Sequence, residues 1–142
     1  MKTTLTKLVC EGDFRSDEVT KLRDEADIIV TNPPFSMFRE FLAWIGDKKF
    51  LVLGNKNAIT YKEVFPLIKD NKVWLGFTGC TDMVFRLPPS QAITALHDQR
   101  KAERLGYVGN YICMRSCRWF TNLDHGRRHR ALPLAETFDG YV

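Results

Sequence analysis

A chain of 142 residues that is 44% hydrophobic and 12% aromatic carries enough apolar material for one packed domain and is short for two. No apolar run reaches the ~20 residues of a membrane helix, and four cysteines at uneven spacing (Cys10, Cys80, Cys113 and Cys117) do not make a disulfide framework. The net charge of +4 is uneven: residues 1–99 hold 13 Lys and Arg against 13 Asp and Glu, while residues 100–130 hold 8 against 2. A neutral body with one basic segment suits a polyanion, and on charge alone a merely solvated basic face suits it as well. The opening "MKTTLTKLVCEGD" meets acidic residues before an apolar signal core can form, so no export signal is expected and a reducing cytosol is.

In chain order, "TKLVCE" is a short strand candidate. Ser16 is placed to cap a helix through "SDEVTKLRDEA", with Asp17 and Glu18 near its positive end. "DIIV" (27–30) is an apolar run of the kind buried on both faces of a parallel sheet. Ser36 is placed to cap "MFREFLAWI", in which Phe38, Phe41, Leu42 and Ile45 share one helical face. "KFLVLGN" is another buried strand. Thr60 and Glu63 have capping-box spacing for "YKEVFPLIKD", where Pro66 predicts a kink by removing one amide donor. "VWLGF" and "DMVFRL" read as two strands joined around Gly79. The order predicts a mostly parallel α/β sheet with flanking helices. Ser90 to Leu105 reads as a helix ended by Gly106, and the chain beyond that glycine is mixed, aromatic and basic.

The strand "DIIV" ends in Thr31 and then Asn32-Pro33-Pro34-Phe35. Ligands of open α/β sheets collect outside the carboxyl ends of strands. Proline cannot continue a central strand, so the chain must leave the sheet here with a fixed backbone. Rigid acceptors suit an exocyclic amine such as that of adenine, a poor nucleophile because its lone pair is shared with the ring. The Asn32 side-chain oxygen can accept one of its hydrogens and the Pro33 carbonyl the other, turning the lone pair towards a methyl donor. That is catalysis by positioning and preorganised dipoles. Phe35 can stack on the base, a contact worth ~1–3 kcal/mol, after the base is flipped out of a duplex. A strand-terminating turn with a core phenylalanine is the plain alternative. An Asn32 amide sealed away from open space would exclude the chemistry.

These residues resemble the Asn/Asp-Pro-Pro-aromatic motif of S-adenosylmethionine-dependent amino methyltransferases, which also act on RNA guanine or protein glutamine. The longer stretches "GDFRSDE", "EADIIVTNPPFSMFREF", "FLVLGNKNAITYKEVFPLIKDNKVWLG" and "WFTNLDHGRRH" are similar to the EcoRI-type adenine-N6 DNA methyltransferases over most of residues 11–130. The resemblance implies a partial Rossmann-like methyltransferase fold. Residues 1–89 would form its α/β core; residues 90–142 would add a helix and a basic, aromatic DNA-recognition-like region to the same domain. It assigns Asn32, Pro33, Pro34 and Phe35 to catalysis and Asp13 and Phe14 to the cofactor's adenine. It places Asn55 and Asn57 at the rim of the target-base pocket. Family members carry a sizeable region before "GDFRS" that supplies the first strands and most of the cofactor pocket, and they continue past the point reached here. In this sequence "GDF" starts at residue 12 and there is no Gly-x-Gly. The expected consequence is a chain short of the glycine-rich cofactor loop, with a strand edge open to another chain or a second copy. A non-catalytic DNA- or partner-binding remnant of such an enzyme is therefore the competing expectation.

Two further groupings stand apart. Arg127, Arg128 and Arg130 in "HGRRHR" have the planar fork that pairs with phosphate, or form a solvated basic turn. Cys113, Cys117, His125 and His129 have zinc-type ligands at a C-x3-C-x7-H-x3-H spacing, shorter than the usual ~12-residue spacer, so no metal is expected. Trp119 and Phe120 read as core, and Cys10 and Cys80 as buried thiols.

Overall fold

The computed structural model describes residues 3–91 and 95–131. Helix α1 (Asp17–Glu25) leads to strand β1 (Ile28–Thr31), a 3-10 turn (Phe35–Met37), helix α2 (Phe38–Ile45) and strand β2 (Lys49–Asn55). A second 3-10 turn (Lys56–Thr60), a short α3 (Phe65–Lys69), β3 (Trp74–Leu75), β4 (Met83–Arg86), α4 (Leu96–Arg104), β5 (Tyr111–Met114) and β6 (Cys117–Thr121) come next. A third 3-10 turn, Gly126–His129, closes the described chain.

The main sheet has the order β1-β2-β6-β3. β1 and β2 are parallel, with Ile28 opposite Lys49 and Thr31 opposite Val52. β6 runs antiparallel to β2, from Leu51 opposite Thr121 to Asn55 opposite Cys117, and antiparallel to β3. The sheet is therefore mixed, not mostly parallel as the strand order predicted. The aperiodic basic segment beyond Gly106 supplies the antiparallel strand that sits between β2 and β3. The strands expected around Gly79 both form, but in different sheets: β4 pairs antiparallel with β5, and α4 packs on β5.

One face of the main sheet is covered by α2, whose Phe38, Phe41, Leu42 and Ile45 are buried as their spacing predicts. They meet Phe50, Val52 and Phe120, with the Phe38 and Phe120 rings 5.1 Å apart. Each such side chain contributes ~1.5–3 kcal/mol by leaving water. On the other face, Leu53 and Cys117 pack with Met83 of the small sheet.

Local signals were honoured unevenly. Ser16 caps α1, accepting from the Val19 amide at 3.2 Å. Ser36 caps nothing; it lies inside the 3-10 turn that precedes α2. Thr60 donates to the Asn57 carbonyl at 2.8 Å while Glu63 pairs with Arg39 at 3.4 Å, so the capping box does not form. Pro66 falls in the first turn of α3 and kinks nothing, because the amide it lacks would have had no helical partner there. "TKLVCE" is not a strand: Leu5 and Val9 are exposed, and the Val9 and Cys10 amides bond the Glu18 carboxylate. The helix predicted from Ser90 is described only as Leu96–Arg104, with residues 92–94 outside the described chain. Gly106, at φ +90°, ends it.

Gly54 shows how tightly the layers close. A Cβ there would meet Phe38 Cε2 at 2.6 Å and Phe120 Cδ2 at 3.0 Å. Gly54→Ala is expected to destabilise the fold by ~1–3 kcal/mol, as overpacking does, read as a lowered denaturation midpoint with an unchanged slope.

Candidate active site

The carboxyl ends of β1 and β2 lie side by side because the strands are parallel and adjacent. Asn32, exposed, leaves the end of β1, and its side chain has no hydrogen-bond partner among the described residues. Pro33 is buried and Pro34 exposed. The Pro34 carbonyl is taken by the Met37 amide at 3.0 Å, whereas the Pro33 carbonyl accepts no hydrogen bond among the described residues. Two neighbouring acceptors are thus held on a proline-stiffened turn and left unpaired among the described residues.

Phe35 is placed differently from a free stacking platform. It is half-buried against the cluster of Leu53, Met83 and Cys117, so the small β4-β5 sheet backs the ring.

A hollow of about 300 Å³ joins two of the predicted groups. Its walls are Asn32, Pro33 and Pro34 from the motif, Gly12 and Phe14 from the "GDF" turn, and Ile29, Phe41 and Trp44 among others. Phe14 is buried, edge-on to Phe41 at 5.3 Å and to Trp44 at 5.4 Å. Asp13 lies outside that lining. Its carboxylate is held by Arg15, whose amide and Nε lie 2.9 and 3.1 Å from Oδ1 and whose Nη2 lies 2.8 Å from Oδ2. That guanidinium lowers the carboxyl pKa from 3.8 to about 2. A larger hollow, of about 630 Å³, lies between α2 and α3. It includes no motif residue and opens by Phe50, near the amino end of β2, away from the end where ligands gather.

The remaining predicted residues are dispersed. Asn55 caps the second 3-10 turn, its side chain accepting from the Asn57 amide at 2.9 Å. Asn57 lines a separate hollow of about 180 Å³ with Lys56, Leu75, Cys80 and Arg118. Arg127 and Arg128 lie by β3, at the opposite edge of the sheet from β1. Arg127 donates to the Phe77 carbonyl at 2.9 Å. Arg128 lies 3.6 Å over the Trp74 ring and bonds Asp124 and Asn71. Arg130 is exposed and without a side-chain partner among the described residues. Of the zinc-type residues, Cys113 and Cys117 are buried thiols, His125 Nε2 is 3.0 Å from the Leu75 carbonyl, and His129 Nε2 is 2.7 Å from Asp124.

Arg118 was not singled out from sequence, yet it organises this end of the sheet. It is buried to 6% exposure, donates to the carbonyls of Arg115, Cys117 and Cys80, and meets Asp82 at 3.3 Å. The signal was present: a charge at a strand position between Cys117 and Trp119 demands partners.

Residues 2–141 match the family described as Adenine-specific methyltransferase EcoRI, and the chain belongs to that family. It is 46% identical over 134 residues to Type II methyltransferase M.EcoRI of Escherichia coli, covering 92% of this chain and 40% of that protein. Type II methyltransferase M.MgeORF184P of Mycoplasma genitalium is 38% identical, with 90% and 40% covered. Type II methyltransferase M.MpnI of Mycoplasma pneumoniae is 32% identical, with 94% and 42% covered. The chain thus spans about 40% of the length of the curated relatives it matches. No solved structure matches it. Among the described residues no helix is long and apolar enough to cross a membrane.

Because its folded pKa is depressed, Asp13 adds stability that is present above the ordinary 3.8 and lost as pH falls towards about 2. A carboxyl NMR titration is expected to place its midpoint near 2, and Arg15→Ala to return it towards 3.8.

Proposed function

We propose that this chain carries the amine-positioning part of an adenine-N6 DNA methyltransferase. The observation that supports the reading best is a pair of acceptors at the end of β1, Asn32 Oδ1 and the Pro33 carbonyl, that take no hydrogen bond among the described residues and belong to residues lining one hollow with Gly12 and Phe14. The Asn32 oxygen and the Pro33 carbonyl accept the two hydrogens of a flipped adenine's amino group and turn its lone pair outward. The prolines fix both acceptors before the base arrives, so little reorganisation is needed in the transition state. Phe35, backed by Leu53 and Met83, offers its remaining surface to the base. Asn55 ends β2 on the same side of the sheet and Asn57 follows it; the resemblance gives both a place at the rim of the target-base pocket. Residues 1–89 form the catalytic part, and residues 90–142, with Arg127, Arg128 and Arg130, the DNA-facing part of one domain in a cytosolic protein.

The family implies S-adenosylmethionine, which supplies an electrophilic methyl group. The hollow fits one end of it: about 300 Å³ is at the small end of the ~300–1,000 Å³ typical of ligand clefts, and its apolar walls suit an adenine ring. Its lining includes no charged side chain among the described residues, so nothing there meets the donor's amino-acid end. That lining favours one second reading, a DNA- or partner-binding chain that is not catalytic by itself. The outer edge of β1 has no strand beside it among the described residues, and Ile28 and Val30 are 48% and 64% exposed there. Another chain or a second copy would complete the sheet at that edge.

Calorimetric titration with S-adenosylmethionine and labelled-methyl transfer to DNA separate the readings. Catalysis by this chain predicts both signals, with Asn32→Ala lowering transfer ~10²–10³-fold, as loss of one preorganised polar partner does. Salt-sensitive DNA binding without donor binding or transfer would instead establish the non-catalytic reading.

A further inference from the structure

A single exposed apolar side chain usually carries no message. Phe77 differs in how it is held. It is 61% exposed and sits just after β3 in a tight turn closed by the Gly79 amide on the Gly76 carbonyl at 2.8 Å. Gly79, at φ +58°, supplies the left-handed backbone of the next turn, closed by the Thr81 amide on the Thr78 carbonyl at 3.2 Å.

Three side chains from β6 and the turn beyond it grip consecutive parts of this loop. His125 Nε2 lies 3.0 Å from the Leu75 carbonyl, Arg127 Nη1 donates to the Phe77 carbonyl at 2.9 Å, and Arg118 Nη2 to the Cys80 carbonyl at 2.8 Å. The Arg127 guanidinium also stands 5.9 Å from the Phe77 ring centre, and the His125 ring lies edge-on at 6.1 Å. The loop is clamped on its inner side while its aromatic tip faces solvent.

The tip also points from the relevant end of the sheet. β3 and β2 are both antiparallel to β6, so they run the same way, and Phe77 emerges at the carboxyl end that carries Asn32 and Asn55. Three strand spacings of ~4.8 Å separate β3 from β1, a lateral offset of ~14 Å. That is about four base steps along one DNA strand. An aromatic face with a guanidinium beside it matches a nucleobase and its phosphate.

We propose that Phe77 and Arg127 form a stacking site for one unpaired base of a DNA strand. Phe77 stacks on the base and Arg127 meets the adjoining phosphate. The assignment rests on the DNA-methyltransferase reading and adds a contact set apart from the Asn32 motif.

Fluorescence anisotropy of the full chain with a labelled, mixed-sequence single-stranded DNA tests it. Phe77→Ala is expected to weaken binding about 5- to 150-fold, the ~1–3 kcal/mol of one stacked base. Phe77→Trp should keep the affinity. Phe77→Leu, apolar but without a π-face, should lose it. Circular dichroism melts of all three should match the parent, since the side chain is largely exposed. A strand made abasic throughout should erase the difference between parent and Phe77→Ala. Equal affinity of parent and Phe77→Ala for the intact strand would overturn the stacking site while leaving DNA binding in place. A parent chain that does not bind DNA at all would overturn both.

Discussion

β6 is bonded along both of its long sides. Among the described residues β3 has no other neighbour in the main sheet, and the inner edge of β2 is paired over five residues, from Leu51 to Asn55. Further hydrogen bonds then fasten the two ends of that pairing, from side chains at one end and from the backbone at the other. At one end Thr121 donates to the Phe50 carbonyl, while Asn122 accepts from the Phe50 amide and donates to the Lys48 carbonyl. At the other end the Lys56 amide meets the Ser116 carbonyl at 2.7 Å. Between them Phe120, fully buried, fills the space over Gly54 beside Phe38. A slip of one residue would turn Phe120 to the opposite face and bring Trp119 under α2, so the register is fixed by packing as well as by hydrogen bonds.

The motif at the end of β1 inherits its geometry from this arrangement. Phe35 is wedged against Leu53, Cys117 and Met83, which belong to β2, β6 and the small sheet. Asp82, next to Met83, meets both Arg118 and Arg115. The Arg118 side chain is 7% exposed and that of Asp82 35%, so this pair is half-sheltered, and its larger effect is to join the small sheet to the main one. Removing one partner of such a pair leaves a charge that burial penalises. Buried Pro33 and backed Phe35 therefore hold a turn on which two acceptors, Asn32 Oδ1 and the Pro33 carbonyl, stay unpaired among the described residues.

How much the residues alone disclose depends on how local each determinant is. The α2 face, the Ser16 cap, the β1 and β2 strands and the proline exit are set within a few residues and form as read, except that β1 is covered on one face and not on both. β6 is not local. "CRWFT" has no clean alternation, because Cys117 and Trp119 meet the small sheet while Phe120 lies on the helix side, so both faces are buried. Its antiparallel insertion between β2 and β3 depends on pairing with the distant run from Leu51 to Asn55. "TKLVCE" fails for the converse reason. It has the composition of a strand, but a strand needs a neighbour, and here two of its amides bond Glu18 instead. Ser36 and Thr60 were overridden by 3-10 turns that tertiary contacts favour. In the candidate site the proline exit with Asn32, Pro33 and Pro34 was legible; that Phe14 lines the same hollow, that Asp13 is spent on Arg15, and Arg128 on Asp124, Asn71 and Trp74, was not.

The two edges of the sheet are in different condition, and that contrast bears on the proposed chemistry. At β3 the third 3-10 turn packs against the edge: Arg128 covers the Trp74 ring, the Trp74 indole donates to the Leu123 carbonyl, and His125 meets the Leu75 carbonyl. At β1 the helix-side residues Ile29 and Thr31 are partly covered, but Ile28 and Val30 face outward on the other side, beyond the reach of the small sheet. β1 reads as a strand meant for cover on both faces, with cover on one. The hollow beside it has the same asymmetry. Its walls from this chain are mostly apolar and carry no charge among the described residues, which suits an aromatic ring, and Asp13, between the lining residues Gly12 and Phe14, is already paired. A zwitterionic amino-acid group cannot be desolvated against such walls without charged or polar partners. In the proposed reading, those partners and the missing cover of β1 come from the same place, the open side of the sheet, so whatever completes the edge also completes the pocket.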